Sequence, residues 1–232
     1  MSDTAPSRSA ETIGGVIFDL DGTLTDTLPI AYSAFRSAIA EFAPRQFTDE
    51  ELTRFSGPAE EGILRQILPH DWERCFERYL DEYSSRHVSC RAPFPDVVNV
   101  LDFLRGQGIP LGLVTGKAAR AVAITLQHVG IAHYFDAVEM GSPNGGIKPL
   151  ALRRVIDKWR LDASSVAYVG DVASDMEAAN EIGLIAVGAA WAATADEAAL
   201  KSGGAKVVFT CVRDFFDWLR MCAKRHMSQR SE

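Results

Sequence analysis

The stretch VIFDLDGTLTDT, residues 16–27, runs from an apolar segment straight into aspartates at positions 19, 21 and 26. Carboxylates repel one another and resist leaving water, so their gathering at the end of a buried strand calls for a reason. An Asp21-Gly22 turn closing a strand is one reading. A cation and a phosphoryl group seated among the carboxylates is another, and the rest of the chain bears on the choice.

Apolar runs recur downstream at Pro110–Val114, Val166–Val169, Leu184–Val187 and Lys206–Phe209, with a weaker one at Ala137–Met140. Helical patterns fall between them, at Lys117–His128, Leu150–Trp159, Asp175–Ile182 and Val212–Cys222. Strands alternating with helices predict an α/β chain with a parallel sheet covered on both faces. Residues 27–92 break that rhythm. They are helical nearly throughout, punctuated by Pro44, Gly57-Pro58 and Pro69, with Ile30, Ala34, Ala38 and Phe42 on one face of the first segment. The expected organisation is a loose tail over 1–12, a discontinuous core of 13–26 and 93–224, a helical insert over 27–92, and a C-terminal tail over 225–232.

Composition narrows the function. Hydrophobic residues make up 47% of the 232, enough for a sizeable core. A formal net charge of -7 opposes a general nucleic-acid binder, which needs a positive surface. No apolar stretch approaches the ~20 residues of a membrane span. The four cysteines show no metal-ligand spacing and read as reduced thiols in a cytoplasmic protein. Oligomeric state is not legible.

In an open parallel sheet, ligands bind beyond the carboxyl ends of the strands. Four polar groups fall there in order: Asp19 and Asp21, Thr115-Gly116-Lys117, Lys148, and Asp171 with Asp175. Separately they read as a turn, a loop, a solvated lysine and a helix start. Together they suit phosphoryl transfer. Asp19 can attack phosphorus as a nucleophile. Asp19, the Asp21 carbonyl and Asp171 offer hard oxygen ligands to Mg²⁺. Asp21 can serve as acid and then base. Thr115, the Gly116 amide and Lys148 can hold phosphoryl oxygens, with Lys117 a further candidate. Asp175 can support the metal site or orient Lys148.

These residues resemble the four motifs of the haloacid dehalogenase superfamily: Asp19-Leu20-Asp21-Gly22-Thr23, Thr115, Lys148, and Gly170-Asp171-Val172-Ala173-Ser174-Asp175. The resemblance implies a Rossmann-like core, an aspartyl-phosphate intermediate, Mg²⁺ dependence and a small helical cap that closes over the substrate. The arrangement is most similar to phosphoglycolate phosphatases. It implies a small anionic phosphorylated metabolite, with phosphoglycolate first and pyrophosphate, a nucleotide or a sugar phosphate behind it. Phe55-Ser56-Gly57-Pro58 resembles the cap loop that enters the site in such enzymes. Two departures stand out: Pro95-Asp96 where relatives commonly carry Pro-Gly, and Lys148-Pro149-Leu150-Ala151 in place of Lys-Pro-x-Pro.

Asp21 argues against a dehalogenase, which has no oxygen leaving group to protonate. The absence of lysine from 27–92 argues against phosphonate hydrolysis through a cap imine. A sugar phosphomutase of the beta-phosphoglucomutase kind stays open, as does a phosphate-binding protein without catalysis. The cap carries eight arginines, at 36, 45, 54, 65, 74, 78, 86 and 91, any of which could grip an anion bidentately.

Overall fold

The computed structural model describes residues 13–229 except 44, 46, 49, 50 and 52–56, with side chains described as far as 222. Phe55, Ser56 and Arg54 therefore lie outside the described residues. Strand β1 (Gly15–Phe18) occupies the middle of a six-stranded parallel sheet. The other strands are β2 (Leu111–Val114), β3 (Ala137–Glu139), β4 (Val166–Gly170), β5 (Ile185–Ala189) and β6 (Val207–Phe209). Their spatial order is β3-β2-β1-β4-β5-β6. The chain winds outward in one direction through β2 and β3, then crosses to β4 on the other side of β1. That reversal makes the end of β1 the topological switch point, where a crevice opens.

Alternation along the strands separates two apolar layers, as a period of two requires. Val16 and Phe18 face one layer with Leu111, Leu113, Ala167 and Val169. Ile17 faces the other with Val114, Tyr168 and Ala186. Helices α4 (Val97–Gly106), α5 (Ala119–Val129), α6 (Lys148–Trp159), α7 (Ala173–Glu181), α8 (Glu197–Ser202) and α9 (Val212–Gln229) connect or follow the strands. Among the described residues, no helix is long and apolar enough to cross a membrane. Three of the four cysteines, Cys75, Cys90 and Cys222, are buried, and Cys211 is exposed.

The inserted helical region holds α1 (Leu28–Ala40), α2 (Glu60–Ile67) and α3 (Trp72–Arg86). Helix α1 buries Ile30, Ala34, Phe35, Ala38 and Ile39. Phe42 falls just past its end and packs half-buried on the same cluster. Phe35 meets Tyr79 of α3 edge to face at 5.5 Å, and Tyr79 stacks on Tyr83 at 5.6 Å.

Register explains how distant residues meet. Phe18 aligns with Leu113 on one side and Val169 on the other. The next residues of the three strands, Asp19, Val114 to Thr115, and Gly170 to Asp171, therefore emerge side by side. The Asp19 amide still donates to Val169 O at 2.8 Å as the strand ends.

The Pro95-Asp96 departure has a backbone consequence. Asp96 precedes α4 with φ +66°, a left-handed conformation that costs an ordinary L-residue about 1–2 kcal/mol. Its carboxylate accepts a 2.9 Å hydrogen bond from Asn99, which helps an Asp adopt it. In urea titrations Asp96→Gly should be about 1 kcal/mol more stable than Asp96→Ala, since both lose that bond and differ in tolerance of positive φ. Equal stabilities would contradict this account.

Candidate active site

Asp19, Asp21, Thr115, Gly116, Lys117, Lys148 and Asp171 all line one cavity of about 550 Å³ between the strand ends and the cap. Asp175 stands behind that wall, fully buried. Lys148, the first residue of α6, reaches across to lie 3.1 Å from Asp19 Oδ1 and also ion-pairs with Asp175. Asp175 in turn accepts from the Tyr168 hydroxyl at 3.2 Å. Its position thus fits the expected role of orienting Lys148.

Asp19, Asp171 and Asp175 bring carboxylate oxygens within 4.8 Å of one another. Burial pushes the Asp19 carboxyl up to about 7; Asp175 and Asp21 push the same way while Lys148 pulls down. Burial, then the charges of Asp19 and Asp175, raise Asp171 to about 8. Burial disfavours the Lys148 charge, yet Asp175 and Asp19 outweigh it and hold the ammonium charged. One lysine leaves this cluster short of positive charge. Asp19 Oδ1 is buried without a well-aligned hydrogen bond, since the nearby ammonium approaches it as an ion pair only. Hard, crowded, under-bonded oxygens are the donor set of a divalent cation such as Mg²⁺. The residues fit such an ion.

Two glycines have a local reason. Gly22 has φ +76°, and a methyl group there would run into the Asp171 carboxylate. A methyl group on Gly170 would meet the Asp175 carboxylate. Both leave room for the acids to converge.

Asp21 is held differently. Thr27 Oγ1 donates to its Oδ1, and Lys117 Nζ lies 3.4 Å and 3.3 Å from its two oxygens. Thr27 is itself joined to Thr25 at 2.8 Å. Lys117 was expected to bind substrate phosphate, and it does line the cavity. Its ammonium is nevertheless engaged by Asp21, by Glu60 of the cap at 3.5 Å, and by the Tyr83 ring at 4.3 Å. Burial disfavours that charge, while Asp21, the two tyrosines and Glu60 restore it. Glu60 also accepts from the Ala118 amide of the core at 2.6 Å and from Tyr79 at 2.9 Å.

Glu60, Tyr79, Tyr168 and Thr27 were not picked out from the sequence. Glu60 follows Gly57-Pro58-Ala59 at a helix start, where an acid already complements the dipole. Nothing local announces its contact with the core.

Among the described residues, no cap arginine lines the cavity. Arg78 pairs with Glu41 and Glu82, both at 2.6 Å, and Arg86 pairs with Glu82 and reaches Ser33 and Ser37. Arg74 pairs with Asp71, and Arg65 lies over Trp72. Gly57 and Pro58 of the expected loop do line it.

Residues 16–189 match the family model described as haloacid dehalogenase-like hydrolase. The chain belongs to that family. Among relatives of this haloacid dehalogenase-like hydrolase, the phosphoglycolate phosphatase of Neisseria gonorrhoeae is 28% identical over 193 residues, which span 78% of this chain and 82% of the relative. The probable phosphatase IndB of Dickeya dadantii is 34% identical over 186 residues, spanning 76% and 80% of the two chains. A haloacid dehalogenase-like hydrolase from Streptococcus pneumoniae superposes with a TM-score of 0.72, covering 89% of this chain and 98% of that one at 22% identity, and shares the fold. The chain is accordingly a phosphoglycolate phosphatase-like member of the family with a small helical cap, a hydrolase whose buried acidic cluster can coordinate a divalent metal.

The raised Asp19 and Asp171 values set a pH signature. Both groups bind protons more tightly folded than unfolded, so metal-free stability is fullest below the ordinary aspartate value and declines as pH rises through about 7 and 8. A divalent cation competes with those protons. The Mg²⁺-induced rise in melting temperature should be several degrees larger at pH 8 than at pH 5 by scanning calorimetry, and equal rises would contradict the assignment.

Proposed function

We propose that the protein is a Mg²⁺-dependent phosphomonoester hydrolase working through an aspartyl-phosphate on Asp19. The observation that carries this reading is the convergence of Asp19, Asp21, Thr115, Lys148 and Asp171 on one cavity, with the Lys148 ammonium 3.1 Å from the Asp19 carboxylate. An Asp19 oxygen attacks phosphorus, the bond from phosphorus to the ester oxygen breaks, and Asp21 gives that oxygen its proton. Water then attacks the acyl-phosphate and yields its proton to Asp21, releasing inorganic phosphate and restoring both carboxyl groups.

Lys148 serves two parts of this cycle. Its fixed charge faces the phosphoryl oxygens, and its pairing with Asp175 stops it drifting away from Asp19. Thr115 and the Gly116 amide supply further donors. Asp19, Asp171 and the Asp21 carbonyl would hold Mg²⁺, with Asp175 held behind them by Lys148 and Tyr168. The metal supplies charge neutralisation that lets an anionic nucleophile approach an anionic ester. Thr27 and Lys117 orient the Asp21 carboxylate.

Phosphoglycolate is the substrate first suggested by the named relative. A phosphomutase would return the phosphoryl group to its acceptor, so release of free phosphate separates the two chemistries. With Mg²⁺ present, Asp19→Asn should lower phosphate release at least ~1,000-fold while the melting temperature stays near that of the natural protein. Turnover within tenfold of natural would remove Asp19 as nucleophile. Asp21→Asn should instead slow hydrolysis of the covalent intermediate, which quench-flow would show as an accumulating phosphoprotein. An unchanged breakdown rate would count against its role.

A further inference from the structure

The wall of the cavity opposite the phosphoryl site is built from the cap, and it is apolar. Leu28, Ala31, Tyr32 and Phe35 recur at intervals of three and four along one face of α1 and line the cavity together. Ile63 of α2 and Tyr79 of α3 complete the surface. Two polar groups on that side are already used, since the Tyr79 hydroxyl donates to Glu60, and Glu60 is bound to the core at Ala118.

Charge points the same way. The exposed acids Glu177 and Glu181, one turn apart on α7, flank the cavity near the Asp171 side. The cavity cations among the described residues are Lys148, which is paired to Asp19 and Asp175, and Lys117, which is paired to Asp21 and Glu60. A leaving group bearing a carboxylate would set its charge against hydrocarbon, an expensive burial without a partner. A volume of about 550 Å³ has room for a ring-sized ligand.

Resting on the phosphatase reading above, we propose that the cap wall selects phosphate monoesters whose leaving group has an uncharged, apolar, ring-sized body over those carrying a carboxylate. Tyr32, half-buried on that wall, is the specificity-determining residue. Its ring supplies contact area to the body of the substrate, and it stands where a cation would have to stand to receive a carboxylate.

The test compares benzyl phosphate with phosphoglycolate under the same Mg²⁺ concentration. Both leave as alcohols, so the ratio of kcat/KM reports recognition of the body rather than leaving-group activation. The natural protein should favour benzyl phosphate at least tenfold, from apolar burial of the ring. Tyr32→Lys, checked for a natural-like melting curve, should narrow or reverse that ratio by a further tenfold. It should do so by raising kcat/KM on phosphoglycolate and lowering it on benzyl phosphate. Equal or greater kcat/KM on phosphoglycolate for the natural protein overturns the selectivity while leaving the hydrolase reading intact, whether or not the variant folds. Failure of the folded natural protein to release phosphate from either ester overturns both.

Discussion

One half-buried lysine governs this site. Lys148 stands between Asp19 and Asp175, while Asp171 adds a third carboxylate within a few ångströms. Three acids sharing a low-dielectric pocket cannot all ionise beside a single ammonium without a large penalty. The pocket is therefore made to receive a further positive charge. It is also made to lend negative charge to an incoming electrophile. The fold follows this requirement: Gly22 and Gly170 leave room for the carboxylates, and the parallel register delivers them side by side. Removing the Lys148 charge should cost more than removing any surface charge, because the carboxylates would be left uncompensated.

The cap is joined to the same electrostatics. Glu60 of α2 reaches the core through the Ala118 amide and Lys117, and Lys117 reaches Asp21. Tyr83 of α3 adds a 2.7 Å bond to Thr125 of α5, and its ring lies against the Lys117 ammonium. The seating of the cap on the core and the orientation of Asp21 thus share a common cation. That sharing gives Lys117 a physical role apart from any contact with a phosphate group. It also leaves the inner surface of α1 free to be apolar.

The core was legible because its signals are local and repeated. Apolar runs with helices between them predict the layers, and Asp19, Thr115 and Asp171 read as site residues because strand ends in a parallel sheet share one edge. Even β3, the weakest of the apolar runs, forms next to β2. The site's supporting contacts were not legible. Lys117 and Glu60 lie far apart in the chain, and their pairing depends on how the cap sits. The roles of the cap arginines were illegible for a related reason. Sequence displays their number but not their neighbours, and Glu41, Asp71 and Glu82 pair with several of them. Asp96 shows the reverse case, where a departure from the family pattern marks a backbone angle that glycine would hold without strain.

The central claim is that Asp19 carries the phosphoryl group between ester and water. Acid quenching of the enzyme during turnover of a labelled phosphate ester, followed by peptide mapping, addresses this directly. The account predicts an acid-stable, hydroxylamine-labile phosphate on the peptide containing Asp19, formed at least as fast as turnover and then held at a steady level. Label on a different residue, or rapid turnover with no covalent phosphate at any quench time, would contradict it.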